Sequence, residues 1–104
     1  MDTRTERVGK NEAVFREVNE RISDVTRENP AEFLCECATK TCTETVQMTM
    51  AEYESVRSVP TDFAVLPGHE VPDLEEVVER NDAFLVVRKK AGAAEVAAER
   101  DPRS

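Results

Sequence analysis

An α+β fold, with a long N-terminal helix packed on a small, mostly antiparallel sheet and a second short helix, is what this 104-residue chain predicts. Three observations point there. Residues 11–25 carry apolar side chains at helical spacing, residues 33–49 alternate as strands do, and a Thr49-Met50-Ala51-Glu52 capping box opens a short helix after them. The length is room for one domain with one core.

The first helix is expected from Asn11. Val14, Val18, Ile22 and Val25 follow at steps of four, four and three, with Phe15 beside them, which predicts an apolar face turned inward. Asn11 suits an N-cap and Glu12 the positive end of the helix dipole. Glu12 with Arg16 and Glu17 with Arg21 read as i,i+4 pairs on the wet side. Asn29-Pro30 stops the helix.

Phe33–Cys37 then reads as a strand with Phe33, Cys35 and Cys37 on one face and Leu34 and Glu36 on the other. Thr43–Thr49 reads as its hairpin partner, closed by the residues between Cys37 and Cys42. The capped helix carries Tyr53 and Val56 inward and ends before Pro60. Phe63–Leu66 is a buried strand, and Leu66-Pro67-Gly68-His69 places Pro and Gly where a type II turn wants them. Residues 72–82 fit either a helix or a hairpin, and a hairpin over 77–89 with a short helical turn before it is favoured. Phe84–Val87 is an unbroken apolar run suited to the middle of a sheet, and Arg88-Lys89-Lys90 reads as a basic run that keeps an edge strand in solution.

The ends differ from the centre. Of the 23 Val, Ile, Leu and Phe residues, 21 lie between residues 10 and 90. Residues 1–10 are therefore expected as a flexible arm, 11–90 as the single domain, and 91–104 as a disordered or fraying Ala- and Glu-rich tail.

Composition narrows the function classes. A formal net charge of −8 argues against duplex nucleic acid, whose phosphates are bound by Lys and Arg. No run approaches the ~18 apolar residues of a membrane span. The polar opening Met1–Lys10 carries no apolar signal segment, and three cysteines are an odd number for a disulfide framework, so a reducing cytoplasm is the expected setting. No P-loop, dinucleotide-binding glycine pattern, nucleophile elbow or His-Glu-x-x-His motif occurs. The adjacent Glu75 and Glu76 read as solvated surface rather than as an acid/base couple.

One constellation carries chemistry. Cys35-Glu36-Cys37 and Cys42, followed by the single histidine, His69, supply a complete Cys3His shell for a structural Zn2+. Cys35 and Cys37 share a strand face, Cys42 returns across the hairpin, and the turn before His69 can swing it in. Cys-x-Cys is a less specific spacing than Cys-x-x-Cys, and two other readings stand beside zinc. The thiols can be small buried core residues, or they can form a metal-free redox-responsive cluster in which two oxidise and one stays free. A catalytic arrangement would take two cysteines and His69 as ligands and Glu70 or Glu36 as base, and a small enzyme with a site near His69 ranks third.

Four stretches together resemble a family of small uncharacterised actinobacterial proteins: residues 11–22, the Cys-x-Cys…Cys cluster, Glu52–Arg57 and Pro67-Gly68-His69-Glu70. The resemblance would span residues 11–104. It implies a bacterial cytoplasmic origin and brings no activity, substrate or mechanism with it. Ala38-Thr39-Lys40 departs from the glycine and acidic residue that would tighten the turn between the cysteines. The favoured reading is a non-enzymatic zinc-binding module that binds another protein, with a thiol redox regulator as the alternative and the oligomeric state left open.

Overall fold

The first helix turns its polar face to the body of the protein. In the computed structural model, which describes residues 3–37 and 42–101 and the side chains of 12–37, 42–90 and 92–101, α1 runs Thr3–Val25. Glu12, Arg16 and Asn19 are buried, whereas Val14, Val18 and Val25 are 57%, 39% and 78% exposed. This overturns the expected inward valine face and the expected wet-side Glu12–Arg16 pair. The physical reason lies in what α1 packs against.

Each inward polar residue of α1 meets a different element through groups that would otherwise be buried without partners. Asn19 Oδ1 accepts from the Leu34 amide at 2.7 Å, and its Nδ2 donates to the Leu34 carbonyl at 3.0 Å and to Glu36 Oε2 at 2.9 Å. Arg16 donates to the Pro60 and Asp62 carbonyls at 2.9 and 2.5 Å, with its guanidinium 3.7 Å above the Phe63 ring. Glu12 pairs with Lys89, and Glu20 accepts from Tyr53 Oη at 2.9 Å and from Arg57 at 3.2 and 3.3 Å. An apolar face here would leave the Leu34 and Asp62 backbone groups without these bonds, at the cost of burying them unsatisfied.

The chain continues through β1 (Ala31–Leu34), β2 (Thr45–Met48), α2 (Met50–Arg57), β3 (Asp62–Val65), β4 (Glu75–Arg80), β5 (Leu85–Lys89) and α3 (Ala91–Glu99). It is an α+β fold with two antiparallel sheets, a β1–β2 hairpin and a three-stranded sheet in the order β3-β5-β4. Phe33 faces Val46 across the hairpin, and its ring stacks on Tyr53 of α2 at 4.4 Å between centroids. Phe63, Val65, Leu85 and Val87 fill the space between the three-stranded sheet and the helices. Residues 72–74 form the expected short turn before β4, with the Leu74 and Glu75 amides bonded to the Val71 carbonyl. Asn81 Oδ1 closes the β4–β5 hairpin by accepting from the Ala83 and Phe84 amides, both at 2.9 Å. A bulge at Val78 interrupts the β4–β5 register and leaves that side chain 41% exposed.

The α2 capping box is formed in full. Thr49 Oγ1 accepts from the Glu52 amide at 3.0 Å, and Glu52 Oε1 from the Thr49 amide at 2.8 Å. Thr49→Ala is therefore expected to cost about 0.5–2 kcal/mol in urea unfolding, with the m-value unchanged.

Four further expectations need correction. The helix begins at Thr3 rather than Asn11, because a polar run of Arg and Glu is no obstacle to helix formation. Ala91–Glu99 is a helix rather than a disordered tail, packed on α1 with Ala93, Val96 and Ala97 buried. Strand β5 is the centre of its sheet, not an edge, so the basic run serves as counter-charge. Arg88 makes a two-point pair with Asp62, Lys89 is buried between Glu12 and Glu75, and Lys90 donates to the Pro72 carbonyl. Glu75 is consequently buried rather than solvated, while its neighbour Glu76 is exposed.

Candidate metal centre

The hairpin ladder runs one residue past β1, since the Cys35 amide donates to the Glu44 carbonyl at 3.0 Å. There the chain crosses to the other sheet. The Glu36 amide donates to the Ala64 carbonyl at 2.9 Å, and the Ala64 amide returns a bond to Glu36 Oε1 at 3.0 Å. Held on both sides, residues 33–37 stay extended, so the buried side chains of Phe33, Cys35 and Cys37 project to one face. The turn between Cys37 and Cys42 falls at residues 38–41, outside the described residues.

The fourth group arrives from β3. Gly68 has φ of 92°, a conformation that side-chain-bearing residues rarely adopt, and the His69 amide closes the turn on the Leu66 carbonyl at 2.9 Å. This brings His69 Nδ1 to 3.5 Å from Cys35 Sγ and 3.7 Å from Cys42 Sγ. The ligand atoms of Cys35, Cys37, Cys42 and His69 all lie within 4.8 Å of one another. All four residues singled out from the sequence therefore meet at one point.

These distances suit a metal ion. A tetrahedron with metal–sulfur bonds of about 2.3 Å and metal–nitrogen bonds of about 2.0–2.1 Å has sulfur–nitrogen edges of about 3.6 Å and sulfur–sulfur edges of about 3.8 Å. The two edges at His69, 3.5 and 3.7 Å, fall on the first of these, while the 4.8 Å span of the whole set is wider than either edge. Without an ion, electrostatics favour the protonated thiol at Cys35. Burial pushes the Cys35 thiol well above its ordinary range, and Cys37 and Cys42 beside it push the same way. Three thiolates would not share this volume without a cation among them. The Leu66 amide works in the opposite direction, donating to Cys35 Sγ at 3.3 Å and so stabilising the ionised sulfur.

The carboxylates considered as catalytic bases have other work. Glu36 is bonded to Asn19 and the Ala64 amide, and Glu70 Oε1 accepts from the Gly68 amide at 2.7 Å. A cleft of about 380 Å³ lies between α2 and the β4–β5 face, with Ser55, Asp62, Glu79 and Arg88 among its walls and His69 not among them. Among the described residues no helix is long and apolar enough to cross a membrane.

The fold and this centre define a small α+β protein with a Cys3His cluster compatible with a metal ion. No family model, curated protein or solved structure matches the chain.

Proposed function

We propose that the protein is a non-enzymatic zinc-binding module of the bacterial cytoplasm whose work is to bind another protein. Cys35, Cys37, Cys42 and His69 hold a structural Zn2+, His69 through Nδ1. The observation that carries this is the convergence of every thiol and the only imidazole within 4.8 Å. Zinc is favoured over other divalent ions because three soft thiolates and one imidazole are among its usual structural donor sets. With four protein ligands the shell is closed, and no position is left for a water or a substrate. The ion would tie the loop end of the β1–β2 hairpin to the β3–β4 connection. A two-stranded hairpin is marginal by itself, so such a tie would hold its surface in one shape for a partner.

Elemental analysis and thiol titration on one freshly purified, untagged sample test this. The expected result is about one zinc per chain, with the three thiols titrating only after denaturation and chelation. Absence of metal with three freely titrating thiols overturns the zinc reading. A fall from three titratable thiols to one on peroxide treatment would then favour the redox alternative.

A further inference from the structure

The outward face of α1 is the largest feature that the metal centre leaves unexplained. Scattered exposed valines are ordinary, but Val14, Val18 and Val25 lie within about 40° of one another around the helix and extend about 16 Å along it. They are 57%, 39% and 78% exposed with α3 in place. The half-buried Phe15 and Ile22 flank this ridge on one side, and the exposed Glu17 and Arg21 on the other.

We propose that the ridge is the interface of a homodimer in which α1 of two copies packs antiparallel about a two-fold axis level with Asn19. A two-fold interface must be self-complementary, and this face has that property in one register. With the axis at that height, Val14 lies about one residue rise from Val25 of the second copy, and Val18 lies about two from its own counterpart. The same register sets Glu17 level with Arg21 of the second copy, and symmetry repeats the contact. A parallel pairing would carry Glu17 and Arg21 of each copy to opposite sides of the seam, facing Phe15 and Ile22 rather than a charge. The order of charge along α1 thus selects a reversed second copy in the alignment that also brings the valines together. Valine side chains permit the shorter end of the usual 8–10 Å interhelical range. The ridge stands on α1 alone, so this inference is independent of the metal.

The test is light scattering of the full chain across about 1–500 µM, with melting temperature measured in parallel. The wild type is expected to rise from 11.7 kDa towards twice that mass. Val18→Glu is expected to weaken association at least about 100-fold while leaving the melting temperature of the dilute monomer unchanged. Glu17→Arg alone should weaken it about 10-fold, and the swap Glu17→Arg with Arg21→Glu should restore it. A wild type that stays at 11.7 kDa throughout overturns the proposal and leaves the ridge to a different protein. So does a Val18→Glu variant that dimerises as tightly as the wild type, or a double swap no better than the single one.

Discussion

Cys42→Ser is expected to abolish stoichiometric zinc binding and to lower the melting temperature by more than about 15 °C, measured by differential scanning calorimetry beside zinc analysis. The apparent binding energy of a structural zinc is about 10–16 kcal/mol, comparable with the ~5–15 kcal/mol total stability of a typical domain. A loss of even ~3–4 kcal/mol moves the midpoint by about 12–30 °C in a chain of this size. Cys42 suits the test because it is half-buried, so the change of sulfur to oxygen disturbs little packing. Excess chelator supplies the control. It should bring the wild type down to the level of the variant, so that the two melt together. A variant that melts lower than the wild type by the same margin with and without chelator would show that packing, not metal, is what the serine removes.

The centre was legible in the sequence because its residue types are scarce. Three cysteines and one histidine leave few ways to build a site, and strand alternation already put Cys35 and Cys37 on one face. The Leu66–His69 turn was legible for a similar reason, since Pro67-Gly68 specifies a backbone that Gly68 adopts at φ of 92°. The Thr49–Glu52 box and the β4–β5 hairpin also follow from local rules that tertiary contacts left undisturbed.

The orientation of α1 was not legible, because periodicity reports which residues share a face and not which face turns inward. Val14, Val18 and Val25 do share a stripe, as their spacing required. So do Glu12, Arg16 and Asn19, and that second stripe won because its partners lie far along the chain: Leu34, Pro60, Asp62 and Lys89. No local rule could announce a Lys89 that needs Glu12 from 77 residues away. The same blindness hid α3. Its alanines look too small to hold a helix in place, yet Ala93 and Ala97 are buried because α1 already offers a surface to lie on. Asp101 just beyond it joins the network through a 2.5 Å bond to Arg57.

Lys89→Met is expected to destabilise the protein by about 3–5 kcal/mol, because it strands buried carboxylate charge without its counter-ion. Lys89 reaches Glu12 and Glu75, and all three side chains are at most 3% exposed. One ammonium cannot neutralise two buried carboxylates, so the cluster is expected to keep a proton. Glu12 is the group that holds it: burial, opposed by Lys89 and helped by the charges of Glu75 and Glu36, raises it from 4.5 to about 8. The unfolded chain releases this proton near pH 4.5 while the folded chain retains it to about pH 8. In that window the unfolded state binds fewer protons, and the contribution of Glu12 to stability falls as pH rises, levelling off above about pH 8. Glu12→Gln imitates the protonated side chain, so at pH 5 it should melt close to the wild type. As pH climbs to 8 it should gain on the wild type, because it has no proton to lose. Urea unfolding of both proteins across that range measures the difference directly, and a constant gap would mean that Glu12 is ionised throughout. The second arm concerns charge balance. If Lys89→Met acts by stranding charge, adding Glu75→Gln should recover part of the loss, since a buried pair neutralised on both sides is far less costly than one broken on a single side. A double variant no more stable than Lys89→Met alone would instead trace the damage to the lost packing of the lysine stem, whose Nζ lies 5.1 Å from the centroid of the Phe63 ring.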